Sequence, residues 1–138
     1  MAIVASLVFV GLQLKQSHEI ALASQYHARI SDARGLWQAI LESGYDFYRI
    51  VETPDEDLTS VERSARLALI QMSWLSAQNQ HFQYEAGFFT DESWESSKRI
   101  IESLLSNPPS RGVFERNKAT MPKSFVEVVE QLAADAGE

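Results

Sequence analysis

Residues 59–87 read TSVERSARLALIQMSWLSAQNQHFQYEAG, and the fold turns on how that stretch is wound. Thr59-Ser60-Val61-Glu62 has the form of a capping box, in which the Thr59 hydroxyl and the Glu62 carboxylate satisfy orphan amides reciprocally at a helix start. Gly87 tolerates the left-handed conformation that ends a helix. Between them Val61, Ala65, Ala68, Met72, Leu75, Asn79, Phe82 and Ala86 follow one another at spacings of 4-3-4-3-4-3-4. That row predicts a seam packed against a neighbouring helix, with one polar residue, Asn79, inside it. Ile70, Trp74, Ala77, His81, Tyr84 and Phe88 form a second stripe beside it. Two adjacent stripes predict contacts on more than one side. Residues 60–86 are therefore expected to be one continuous central helix, wetted along a narrow strip and enclosed elsewhere.

The flanking segments are also helical in period. Thr90 caps the next helix, Asp91 and Glu92 complement its positive end, and Trp94, Ile101 and Leu105 line its inner face until Asn107-Pro108-Pro109. A short helix from Ser110 to about Lys118 presents Val113 and Phe114, and Pro122 opens a last one with Phe125, Val129 and Leu132 inward. Upstream, His18–Ile30 carries Ile20, Ala23, His27 and Ile30 on one stripe, with Ala21 and Tyr26 beside it. Leu36, Trp37, Ile40 and Leu41 continue in a helical pattern that Gly44 weakens before Phe47, Tyr48, Ile50 and Val51. Thr53–Asp57 reads as a loop. The fold expected is all-α: a single-domain bundle of five or six helices.

Met1–Leu12, MAIVASLVFVGL, has no charged side chain, and Lys15 is the first to appear. As a helix, residues 1–14 rise about 21 Å, short of a hydrocarbon core of roughly 30 Å. The run fits the apolar part of a signal peptide, with Ala21-Leu22-Ala23 as a small-x-small site, although no basic residue precedes it. It also fits a buried helix, or a short membrane anchor with the Lys15 stem reaching the headgroups. A soluble protein would hide such a patch by dimerising through this helix.

The 138 residues suit one domain, 1–14 as the apolar helix and 15–138 as the bundle, and the 45% apolar content supports a core. The net charge is −7, which argues against nucleic acid as a partner. Residues 1–51 are neutral overall, so the whole excess lies in the later part. Without cysteine there is no disulfide framework, zinc ribbon, iron–sulfur cluster or thiol nucleophile.

The stretches VASLVFVGLQLKQ (4–16) and QYEAGFFTDESWE (83–95), and the Pro122-x-x-Phe125 near the end, carry a resemblance. Their order and spacing resemble a widespread group of small bacterial, mainly proteobacterial, proteins. Its members have an apolar N-terminal helix, an ILVALQIRQN-like junction and a helical domain with a Tyr-x-x-Gly-x-x-x-x-x-x-Trp stretch. The resemblance implies membrane attachment through the first helix, and implies no activity. The location expected is the inner membrane, with the body in the cytoplasm. Relatives have several apolar residues before the Val-x-Ser-Leu stretch. Here that leaves open a truncated anchor or a misassigned start, and the junction Lys15-Gln16-Ser17-His18 is less basic than theirs.

Chemistry-bearing residues are sparse. His81 and Glu85 share a helix face, and His27 could be a third metal ligand only if its helix packs beside theirs. Two ligands make half a site and no Glu-x-x-His motif occurs, so the ordinary reading is a partly buried histidine held by a carboxylate. Trp37, Trp74, Trp94, Tyr84, Phe88 and Phe89 could line an apolar pocket or form core, and one of the Phe88-Phe89 pair is expected at the surface. The glycines are scattered, and no serine sits in a Gly-x-Ser-x-Gly elbow. Arg111, Arg116, Lys118 and Lys123 form a basic cluster diluted by Glu115 and Glu127.

The reading that results is a non-enzymatic, membrane-associated helical interaction module without a cofactor. Residues 1–14 would meet a membrane or a partner helix, or a second copy in a homodimer. The alternatives are a small-molecule or lipid-binding bundle, a metal-dependent enzyme using His81 and Glu85, and a wholly soluble cytoplasmic protein.

Overall fold

A computed structural model describes the backbone of residues 2–137 and the side chains of 6–35 and 37–137. The side chains of residues 1–5, part of the apolar run read above, and of Leu36 lie outside the described residues. The protein is an all-α helical bundle: six α-helices and two short 3-10 turns occur among the described residues, with no strand. The chain divides into two compact units, Met1–Tyr45 and Asp46–Glu138.

The first unit is essentially one helix, α1, Ala2–Glu42. Helices expected separately over 1–14, 18–30 and from Leu36 are thus one rod. Its sequence contains no proline, and interior glycines such as Gly11 and Gly35 cost about 1 kcal/mol each, too little to end a helix. Residue 14, where a boundary was expected, lies inside an unbroken run, and the next residue, Lys15, faces Glu19 one turn on at 3.9 Å. The rod stops at Gly44, which takes φ +72, a conformation costly for residues with a Cβ.

The second unit opens with α2, Phe47–Glu52, where the Asp46 carboxylate accepts the Arg49 amide hydrogen at 3.0 Å. The expected loop at Thr53–Asp57 holds a 3-10 turn over Asp55–Asp57, and Leu58 behind it is buried. Arg66 clamps this corner by donating to the carbonyls of Ile50 (2.6 Å) and Thr53. The long central helix α3 runs Ser60–Glu85, as the capping box predicts. Thr59 Oγ1 accepts from Glu62 N at 3.2 Å, and Glu62 Oε2 accepts from Thr59 N at 2.8 Å. Gly87 at φ +76 closes it, with Phe88 N donating to Gln83 O at 2.8 Å, the 6→1 bond of a Schellman end.

Helix α4 spans Asp91–Ser106 behind its Thr90 cap. Helix α5, Pro108–Asn117, starts on the two prolines rather than at Ser110, because the Asn107 side chain caps it and a first-turn proline loses no hydrogen bond. Helix α6 covers Lys123–Asp135. The core is built from Trp74 and Ala77 of α3, Trp94, Ile101 and Leu105 of α4, Val113 and Phe114 of α5, and Phe125 and Val129 of α6.

The expectation for the central helix's packing is overturned. The 4-3 row of α3 is not a packed seam: Val61, Met72, Leu75 and Phe82 are 54%, 44%, 63% and 67% exposed, and Asn79 and Ala68 are exposed with them. The second stripe does the packing instead, with Trp74, Ala77 and His81 buried and Ile70 and Tyr84 against the core. The reason is chemical. Only the second stripe carries a tryptophan, a tyrosine and a histidine, and the three helices after α3 bring their own aromatic residues to it. Hence α3 is enclosed along one face, and the wetted strip is wide and apolar rather than narrow.

Candidate functional site

Labelling α3 in heptads, with Val61 at d and Ala65 at a, separates its two roles. Positions b, c and f (Arg66, Ile70, Trp74, Ala77, His81, Tyr84) face α2, α4, α5 and α6. Positions a and d (Val61, Ala65, Ala68, Met72, Leu75, Asn79, Phe82) face away. The inward face is held hard. Trp74 packs at a tilt against Phe114 (centroids 5.1 Å apart) and meets Phe125 edge-on (6.5 Å), while its Nε1 donates to Ser110 O at 3.0 Å. The Ser110 Oγ beside it is buried without a hydrogen-bond partner. Tyr84 stacks on Trp94 at 5.3 Å, and its hydroxyl donates to Asp91 Oδ1 at 3.0 Å, a bond that pushes the phenol above its usual pKa.

The outward row is bordered by amides and hydroxyls. Gln71, Leu75 and Gln78 form one wall of a groove of about 320 Å³, and Val113, Asn117, Thr120 and Met121 form most of the other. At the N-terminal end of the row, Glu62 is engaged by Arg49 Nε at 2.7 Å. That bond, with those from Thr59, holds the Glu62 carboxyl at about 2. No free charge stands on the row itself.

A second concavity, about 560 Å³, opens between α3, α4 and α6. His81 forms its floor, lying between Trp94 (5.3 Å) and Phe125 (5.7 Å), with Nδ1 3.6 Å from Glu85 Oε2. Ser124 Oγ donates to the same carboxylate oxygen at 3.2 Å. Lys98, Glu127, Gln131 and Asp135 rim the cleft, and Val128 and Leu132 give it an apolar wall. Lys98 is already paired with Glu95 at 2.6 Å.

Of the residues read from sequence, His81 and Glu85 do meet, as a buried imidazole beside a carboxylate. His27 belongs to the first unit and is exposed. Among the described residues no group of three or more His, Cys, Asp or Glu side chains gathers as a metal site would require. The aromatic set is divided: Trp74 and Trp94 are core of the second unit, Tyr84 and Phe89 pack on that core, and Trp37 belongs to the first unit, 51% exposed. Phe88 and Phe89 are both half-buried, so neither is the exposed member expected of the pair. Asn79 is at the surface, not within a packed seam. Of the basic cluster, Lys118 is neutralised by Glu130 and Glu115, each at 3.0 Å, and those bonds raise its pKa. Sequence reasoning missed the rim of the cleft, because Lys98, Ser124 and Glu127 become neighbours of His81 only through tertiary packing.

Comparisons with models of known families, with curated proteins and with solved structures give no match.

Proposed function

We propose that the protein is a non-enzymatic helical interaction module whose working surfaces are apolar helix faces. The observation that carries this is the outward row of α3. Four large apolar side chains in one heptad register lie in water, on the order of 400 Å² between them, comparable to the largest patch of an ordinary monomer, which is often functional. Membrane association belongs to the same reading. Leu7, Val8, Phe9, Val10, Leu12 and Leu14 are all exposed on α1, and no charged side chain precedes Lys15. Among the described residues no helix is long and apolar enough to cross a membrane. The contact proposed is made by the exposed apolar residues among 7–14 of α1.

Two measurements test it. In dilute solution the double variant Leu75→Glu/Phe82→Glu should keep the helical circular dichroism and melting temperature of the parent, since the row supports no core; unfolding would mean that the row is structural. Flotation with vesicles of phosphatidylethanolamine and phosphatidylglycerol should carry the full chain, and Val8→Asp/Leu12→Asp should lose that binding. Equal flotation of both would remove the membrane part.

The cleft over His81 favours a second reading, a small-molecule binder. Its apolar wall and its carboxylates Glu85, Glu127 and Asp135 would suit an alkylamine. Quenching of Trp94 fluorescence by hexylamine, abolished in Glu127→Gln, would support it.

A further inference from the structure

From the pattern on the outward row of α3 we infer that it pairs with the same row of a second copy, running antiparallel about a two-fold axis between Met72 and Leu75. This rests on the interaction reading above and names the partner. The spacing comes first: seven positions from Val61 to Phe82 alternate by four and three, a 3.5-residue period that fits a second helix wound beside the first. The sizes fix the direction. The N-terminal half of the row is small (Ala65, Ala68) and the C-terminal half is large (Asn79, Phe82). A parallel pair would set alanine on alanine at one end and phenylalanine on phenylalanine at the other, gaping and then crowding. An antiparallel pair sets Phe82 over Ala65, Asn79 over Ala68 and Met72 over Leu75, and each occurs twice by symmetry.

The charges agree with that geometry. The chain is acidic at −7 and two copies repel in general, yet the positions flanking the row are nearly free of charge. They are Ser64, Gln71, Gln78 and Glu85 on one side, and Glu62, Leu69, Ser76 and Gln83 on the other. Glu62 is neutralised by Arg49, and Glu85 is turned to Ser124 and His81. In the antiparallel pair Gln71 faces Gln78 of the other copy, two amides that can each donate and accept. The rod of 26 residues is about 39 Å long. Its on the order of 400 Å² of large apolar side chains is about half of the roughly 800 Å² per partner of a standard interface, and alanines and glutamine stems add to it.

The absence of cysteine makes the test clean, because an introduced thiol reports alone. Light scattering of the full chain should give twice 15.6 kDa, and Leu75→Glu/Phe82→Glu should return it to 15.6 kDa with its helicity kept. Ala68→Cys and Asn79→Cys, each alone under mild oxidation, should yield no covalent dimer. Like residues lie about 16 Å apart along the axis in the antiparallel pair. The two variants mixed before oxidation should yield one. Self-crosslinking of Ala68→Cys alone would overturn the direction. A monomeric parent, or a dimer that survives Leu75→Glu/Phe82→Glu, would overturn self-pairing through α3 while leaving the interaction reading standing. Unfolding of that double variant would overturn both.

Discussion

Phe82 and Phe125 offer the same deletion in opposite surroundings. Phe125 is 0% exposed, sits under Trp74 and His81, and belongs to the innermost core of the second unit. Phe125→Ala should therefore cost about 3–5 kcal/mol, the sum of lost transfer energy and the cavity left behind. Phe82 is 67% exposed, so only a third of its side chain is out of water in one copy of the chain. At about 2–3 kcal/mol for a fully buried phenylalanine, the loss is below about 1 kcal/mol. Alanine recovers roughly 0.5 kcal/mol of that through its better helix propensity. The net change for Phe82→Ala is near zero in the monomer. Urea unfolding followed by helical circular dichroism, at a protein concentration low enough to disfavour pairing, measures both. At about 4–8 °C per kcal/mol for a unit of this size, the melting temperature should fall by at least ~12 °C for Phe125→Ala and by no more than a few degrees for Phe82→Ala. At higher concentration the parent should gain stability and Phe82→Ala should gain less. Equal destabilisation by the two variants at low concentration would refute the orientation of α3.

Three further outcomes follow from the same structure. Ser110→Ala removes a buried hydroxyl that has no partner while leaving the backbone carbonyl that Trp74 uses, and should raise stability by about 1 kcal/mol by chemical denaturation. Gly87→Ala forces a Cβ into φ +76 and should cost about 1 kcal/mol or more, although nothing crowds the site sterically; an unchanged urea midpoint would remove the Schellman end. The Glu62 carboxyl is held at about 2 by Arg49 and Thr59, below the usual value of 4.5, so it binds protons less readily folded than unfolded. Its contribution is complete above pH 4.5 and is lost as pH falls from there toward 2, and Glu62→Gln should flatten that part of the stability–pH curve.

Much of the second unit is legible in the sequence because its signals are local. The capping box at Thr59, the Thr90 cap, Asn107-Pro108-Pro109 and the glycine at 87 are short-range chemistry, and each lies at a helix end. The inward residues of α4 and α6, Trp94, Ile101, Leu105, Phe125 and Val129, are likewise read from a single amphipathic stripe. On α3 that logic fails. Two apolar rows run side by side, and periodicity says that both are apolar without saying which one a neighbour covers. The choice is made by the aromatic partners that α4, α5 and α6 bring, which no local pattern contains. The same limit applies to α1. An uncharged start, an amphipathic middle and scattered glycines read as separate pieces, whereas a helix ends only where a backbone requirement such as Gly44 ends it. The cleft was half visible: His81 and Glu85 are four apart on one helix, while Ser124, Glu127 and Lys98 reach it from two others.

Thiol labelling at two neighbouring positions of α3 probes the central claim with least inference. In a dilute sample, Leu75→Cys should react with a maleimide at nearly the rate of a free peptide, because Leu75 is 63% exposed, and should become protected as concentration rises. Ala77→Cys, two residues away and 3% exposed, should react only through unfolding at every concentration. A Leu75→Cys thiol as slow as Ala77→Cys in dilute solution would mean that both rows of α3 are enclosed within one chain, and the outward face described here would not exist.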